Sequence, residues 1–254
     1  MDTRHQNQIR IGTSGIVLPV TKSAFPEAFK TGTRLHYYAS LFNTLEVNSS
    51  FYKIPRFSTF EKWSNEVPDH FTFTVKLWRG ITHAKKLDYT LSDLENFMRA
   101  ANGLGQKKGC LLIQFPSSIR IEYLGIVEKL LANITQLNGD LPWKLAIELR
   151  HHTWYQQSAY DMFAKYGASL VLHDMPNSKT PLDYVTANHT LNCIYLRFHG
   201  PTGQYNGSYS NQLIDEYIAH INQWRSSGKE IYVYFNNTIG SALQNAQRLQ
   251  EQLI

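Results

Sequence analysis

The sequence predicts a single-domain (β/α)8 barrel of the TIM type over residues 1–254, with residues 1–8 as a flexible N-terminal segment. Three observations point there. Apolar runs of strand character alternate with amphipathic helical runs eight times within 254 residues. No Gly/Ser/Pro-rich linker or charge block divides the chain. Most of the strand-like runs also end in a charged or amide side chain, as expected where parallel strands open onto one functional face. Strictly alternating β and α units imply a parallel sheet, because parallel strands need crossover connections. An open doubly wound sheet is the competing architecture, and pairing of the last strand with the first decides between them.

The elements follow in order. Residues 9–12 form the first strand and 34–42 the helix after it. The second strand, 44–48, carries Glu46 and Asn48. Ser58 and Glu61 have the spacing of a capping box, so a helix is expected from there to Val67, before Pro68. Residues 71–76 make the third strand and 91–101 the third helix. The fourth strand, 109–114, is stopped by Pro116. An amphipathic stretch at 121–134 precedes a strand at 144–148, and a short helix at 158–166 precedes a strand at 168–173. Between Pro176 and Thr190 the sixth helix is poorly defined. Strand 193–198, helix 211–225, strand 230–235 and helix 241–253 complete the pattern.

Composition excludes several classes. A chain that is 43% hydrophobic and 18% charged buries a substantial core and is not disordered. Its formal charge of +5 favours anionic partners, nucleic acid among them, but equally describes an ordinary basic surface. Cys110 and Cys193 both lie in apolar runs, so no disulfide framework is expected. The N-terminus lacks the apolar core of a signal peptide and no stretch is long enough to span a bilayer, which predicts a cytoplasmic protein without a membrane partner. The oligomeric state is not encoded in any visible pattern.

Candidate site residues cluster at strand ends. Alternation places Glu148 with Arg150, Glu46 with Asn48, and Arg197 with His199 on common sides. A carboxylate there serves as a general base or binds a hydroxyl, and a neighbouring guanidinium grips a phosphate or carboxylate; an internal salt-bridge network is the structural alternative. Lys76 closes a Phe/Thr/Val strand, where apolar walls lower an amine's pKa, although such a lysine more often pairs with a carboxylate such as Glu46 or positions an anion. Glu148, Lys76, His199 and Glu46 are thus the catalytic candidates. Ser14, Asn48, Tyr52, Arg79, His83, Gln114, Arg150, Trp154, Asp174, Arg197 and Asn236 are the substrate-binding candidates.

Gly12-Thr13-Ser14-Gly15 has the makings of an anion cradle but matches no nucleotide-cofactor motif. His83, His151, His152, His173 and His199 supply donors for a divalent metal, yet no His-x-x-x-His pair or cysteine cluster marks a site, so no metal ligand is assigned and the cofactor is left open. Aromatic side chains after strand ends, Phe51, Tyr52, Trp78, Trp154, Tyr155, Tyr205 and Tyr209, are ordinarily core and alternatively stack on a sugar or base.

These motifs resemble the YecE-like family, catalogued as domain of unknown function 72. The shared stretches are Ile11-Gly12-Thr13-Ser14-Gly15, Glu46 to Tyr52, Phe73 to Lys76 with Arg79 to His83, Gln114-Phe115-Pro116, Glu148 to His151 with Trp154, Leu196 to Gly200 and Tyr232 to Asn237. They run in order through nearly the whole chain. After its Gly-Thr-Ser-Gly the family usually has an aromatic, where this chain has Ile16-Val17-Leu18. The resemblance implies a TIM-type barrel and leaves the activity unsettled. Together the residues suggest an enzyme acting on a small anionic, phosphorylated or sugar-like substrate, with Glu148 as acid/base and Arg150, Arg197 and Lys76 holding negative charge. Hydrolase, isomerase and lyase chemistry all fit. A nucleic-acid binder or phosphodiesterase like the barrel-type repair endonucleases, or a non-catalytic ligand-binding barrel, are the alternatives.

Overall fold

A computed structural model describes residues 9–184 and 193–254. Eight parallel strands are present: β1 (Ile9–Thr13), β2 (Thr44–Val47), β3 (Thr72–Lys76), β4 (Lys108–Gln114), β5 (Lys144–Glu148), β6 (Ala168–His173), β7 (Cys193–Phe198) and β8 (Glu230–Phe235). They form one sheet in the order β1-β8-β7-β6-β5-β4-β3-β2. The last strand pairs with the first, Ile9 opposite Ile231 through Thr13 opposite Phe235, which decides for the barrel over the open sheet. Around it pack α1 (Arg34–Leu41), α2 (Phe57–Asn65), α3 (Leu91–Ala101), α4 (Leu124–Leu137), α5 (Gln157–Lys165), α6 (Asn211–Ser226) and α7 (Ala242–Leu253). The flexible segment expected at 1–8 lies outside the described residues, as does much of the weakly defined sixth helix. Among the described residues no helix is long and apolar enough to cross a membrane.

Local sequence explains most boundaries. Thr33, Thr90 and Ser210 cap α1, α3 and α6 by accepting from the backbone N–H three residues on, at 3.1, 3.1 and 3.2 Å. The expected Ser58 cap is not used. Arg56, which follows Pro55, is already the residue before the helix, so Ser58 sits inside the first turn, and α2 ends at Asn65 rather than Val67. The stretch beginning at Ile121 opens with a 3-10 turn, Ile121–Tyr123, before α4. The second strand ends at Val47. Asn48 turns into the right-handed helical region (φ −89°, ψ −16°) and starts a one-turn helix, Ser49–Tyr52. Strand alternation stops there, so Asn48 does not share a side with Glu46.

The barrel closes between β1 and β2 by an unusual seam. Only one backbone bridge joins them, Ser14 to Glu46, with Gly15 N–H donating to Glu46 O at 2.8 Å. Elsewhere side chains from α1 and its exit take the place of a ladder. Asn43 accepts from Ile11 N–H and donates to Ile9 O, both at 3.0 Å. The Tyr38 hydroxyl accepts from Thr13 N–H at 2.8 Å and donates to Thr44 O at 3.1 Å. Gly12 must be glycine for this: a Cβ would stand 2.2 Å from Thr44 O and 2.9 Å from the Tyr38 hydroxyl. Inside the barrel, Tyr195, Tyr232 and Tyr234 with Cys110, Leu112, Ala146, Val171 and Cys193 fill the core beneath the open face. The helices bury the larger apolar layer outside the sheet.

Because this buried hydroxyl serves two backbone groups of the seam, Tyr38→Phe should strand Thr13 N–H and Thr44 O and cost about 2 kcal/mol. The expected readout is a lower urea midpoint with an unchanged slope. An unmoved midpoint would show that Asn43 and the backbone bridge hold the seam without it.

Candidate functional site

Strand ends deliver charged side chains to the carboxyl face, and the first effect is to bury two carboxylates. Glu46 and Glu148 are both 0% exposed. Arg197, from β7, reaches both: Nε donates to Glu46 Oε1 and Oε2 at 3.1 and 3.0 Å, Nη2 to Oε1 at 2.8 Å, and Nη1 to Glu148 Oε2 at 3.1 Å. The Tyr195 hydroxyl donates to Glu46 Oε2 at 2.5 Å. Burial pushes both carboxyls up, but the Arg197 guanidinium at Glu46, and those of Arg150 and Arg197 at Glu148, outweigh it. Both acids are held ionised below the usual carboxylate range, Glu148 well below it.

Arg150 leaves the end of β5 and folds back onto that anion. Its Nε donates to Glu148 Oε1 at 2.5 Å and its Nη2 also contacts Oε1. The same Nη2 lies 3.0 Å from His199 Nε2, and Arg197 Nη1 lies 2.8 Å from that nitrogen. Guanidiniums only donate, so His199 Nε2 is an acceptor and the proton sits on Nδ1, 3.2 Å from Asp174 Oδ1. Burial lowers the His199 pKa despite Asp174, which fits a neutral ring. Asp174 also accepts from His199 N–H at 2.8 Å and from the Tyr209 hydroxyl. Asp174 therefore orients His199, which orients two arginines.

Above this layer lies a cavity of about 660 Å3. Lys76, Gln114 and Arg150 reach it from the ends of β3, β4 and β5, and Tyr52, Arg79 and His83 line one wall with Phe51. The opposite wall comes from residues 175–178 and from Thr202 and Tyr205. Among the described residues no carboxylate lines it. The Lys76 ammonium stands 4.0 Å over the Phe51 ring, and among the described residues it has no hydrogen-bond or ion-pair partner. Burial lowers its pKa to about 7, with Arg197 acting in the same sense and Glu148 and Glu46 opposing. His83 is pushed down to about 4 by burial, Lys76 and Arg79, so it stays neutral near pH 7. Gln114 donates to Phe115 O at 2.9 Å, leaving its Oε1 for a ligand.

The remaining candidates separate from this cavity. Trp154 is fully buried and donates to Ile119 O at 2.8 Å, a packing role that fixes the loop after β4. Asn48 lines a different, largely apolar hollow of about 330 Å3 with Gly15, Leu45 and Trp63. Ser14 belongs to the β1/β2 seam, and Asn236 follows β8 with its N–H donating to Phe198 O at 2.7 Å. Glu46, Glu148, Arg197, His199 and Asp174 lie beneath or beside the cavity rather than on its surface. Ser117, Thr202 and residues 175–178 line the cavity without having been singled out; small polar loop residues carry no pattern beyond their position after a strand.

Among the described residues no group of three or more His, Cys, Asp or Glu could hold an ion. Four of the donors suggested by the sequence are engaged otherwise: Glu46, Glu148 and His199 Nε2 by guanidiniums, and His173 Nε2 by Leu149 O at 2.7 Å.

Comparison with known proteins agrees with this architecture. The curated protein UPF0759 protein YunF of Bacillus subtilis (strain 168) is 25% identical over 262 residues, covering 91% of this chain and 90% of that protein. The crystal structure of a DUF72 family protein from Thermotoga maritima MSB8 is 26% identical with a TM-score of 0.72, covering 97% and 99% of the two chains. One from Enterococcus faecalis V583 shares the fold at 22% identity and a TM-score of 0.76, over 96% and 95%. A methyltransferase from Methanosarcina mazei, at 9% identity and a TM-score of 0.51 over 96% and 93%, is a likeness of fold alone. The model of the family described as protein of unknown function DUF72 matches residues 10–254, and the chain belongs to that family.

Proposed function

We propose that the cavity binds a small oxyanion-bearing molecule, phosphorylated or carboxylated, and that the Lys76 amine acts on it as general base or nucleophile. The observation that carries this is a cavity lined by Lys76, Arg79 and Arg150 and, among the described residues, by no acidic side chain, in which the lysine has no hydrogen-bond or ion-pair partner among the described residues. Its volume lies within the range of small-ligand sites. Arg150 offers the ligand Nη1, since its other nitrogens are held by Glu148 and His199. Arg79 is exposed at the mouth and Gln114 supplies an acceptor. The acid/base role that the sequence suggested for Glu148 passes to Lys76, because the Glu148 carboxylate is enclosed and ionised. Glu46, Glu148 and His199 are positioning residues in this scheme: they fix the two guanidiniums and keep ammonium charge available above them.

Sulfate is the cleanest probe, because its charge is constant through neutral pH. Arg79→Ala removes an exposed, unpaired cation and should weaken sulfate binding about tenfold without loss of stability. Wild-type affinity in both Arg79→Ala and Lys76→Met, read by calorimetry, would remove the anion site.

The pH dependence has a defined sign. Lys76 is an ammonium below about 7 and neutral above it. Sulfate affinity should therefore fall about tenfold from pH 6 to pH 8, and Lys76→Arg should flatten the profile. A wild-type profile as flat as that of the variant would place the amine outside the site.

Free amine is the reactive species. At pH 7 about half of Lys76 is unprotonated, against roughly one part in 2,500 for an ordinary lysine. Sparse acetic anhydride at pH 7, followed by peptide mass spectrometry, should label Lys76 first, and sulfate should protect it. Labelling spread evenly over the surface lysines would contradict an activated amine.

A further inference from the structure

Two adjacent loops carry most of the formal charge of +5. The loop after β2 holds Lys53 and Arg56, and the loop after β3 holds Arg79, Lys85 and Lys86, against one acid, Asp88. All five cations are exposed, and among the described residues none makes an ion pair or a side-chain hydrogen bond. Strands β2 and β3 are neighbours in the sheet, and Phe51 from one loop meets His83 from the other with ring centroids 4.9 Å apart. The two loops therefore meet at the cavity, where Tyr52 and Arg79 line the wall, and Lys53, Arg56, Lys85 and Lys86 follow in the same two loops. One large ring stands exposed there, Tyr52 at 69%. An exposed ring of this size beside unpaired cations is not explained by core packing.

We infer that the ligand is the phosphorylated end of a single-stranded nucleic acid, its terminal phosphate in the cavity and the adjoining nucleotides tracking over the β2 and β3 loops. This rests on the anion site proposed above and extends it outward. A terminal phosphate matches the cationic floor of Lys76 and Arg150. The cavity, about 660 Å3, has room for a terminal nucleotide. Beyond it a strand meets both components that sequence-independent single-strand sites combine, a basic track for phosphates and aromatic faces for bases. A duplex end would leave its bases stacked on one another and unavailable to Tyr52. A flexible acidic peptide would satisfy the cations but would gain nothing from the ring.

The test compares a mononucleotide with 5′-phosphorylated, 3′-phosphorylated and unphosphorylated hexanucleotides, of RNA and DNA, by fluorescence anisotropy competition. A hexamer with a terminal phosphate should bind at least tenfold tighter than the mononucleotide, and removal of that phosphate should reverse the gain. With four or five phosphates neutralised, affinity should fall about 100-fold between 50 and 200 mM salt. The triple variant Arg56→Glu, Lys85→Glu, Lys86→Glu, all outside the cavity, should abolish the advantage of the hexamer while leaving mononucleotide affinity unchanged. Tyr52→Ala should weaken hexamer binding about tenfold. If the mononucleotide binds and the hexamer binds no tighter, the strand path is wrong and the anion site stands. If neither binds while sulfate does, the nucleic-acid ligand is wrong and the anion site stands; if sulfate does not bind either, both fail. Equal binding of a duplex, or of poly-glutamate with no effect of Tyr52→Ala, would overturn the single-strand assignment. The RNA and DNA arms identify which strand is preferred.

Discussion

The site depends on one guanidinium placed where water does not reach. Arg197 spans the barrel axis from β7 to Glu46 of β2 and Glu148 of β5, and each contact is a charge-assisted hydrogen bond in a dry interior. A buried ion pair repays its desolvation only when its geometry satisfies nearly every donor and acceptor. Here Tyr195, Arg150 and His199 complete the set, so three strands are tied together by their ends. The layer is a fixed plate of charge on which the cavity is built.

That plate determines the electrostatics above it. Two glutamates are neutralised by two arginines, and Asp174 is occupied by His199 and Tyr209, so among the described residues no acid pairs with Lys76 or Arg79. Lys76 consequently sits in a low-dielectric setting beside like charges, which is why its amine is pushed to about 7. In the folded state this costs stability below pH 7, and the cost disappears as pH rises towards the ordinary lysine value.

Barrel closure and site construction are linked at the β1/β2 seam. The strands approach too closely at Gly12 for any side chain and pair by backbone only at Ser14 and Glu46. The one place where the ladder closes is the place where Glu46 turns inward to Arg197. Tyr38 and Asn43 supply the hydrogen bonds that the rest of the seam lacks, so residues distant from the cavity hold one of its foundations in place.

Much of this was legible in the sequence because strand periodicity is local. Eight alternations predict the barrel, and polar residues at strand ends predict the carboxyl face; Glu46, Lys76, Gln114, Glu148 and Arg197 all lie where alternation puts them. What the sequence could not separate was a side chain on the cavity from one beneath it. Glu148 and Lys76 look alike as strand-end charges, yet one is enclosed by guanidiniums and the other is open, a difference set by partners on other strands. Asn48 and Trp154 lie away from this cavity for a related reason. Backbone turns and loop packing redirect a side chain within one residue, and those depend on contacts distant in sequence. The chain by itself determined the strand order of its polar groups and its net positive charge. Tertiary structure alone decided which charges cancel, because cancellation needs atoms within about 3 Å and no spacing along the chain records that distance.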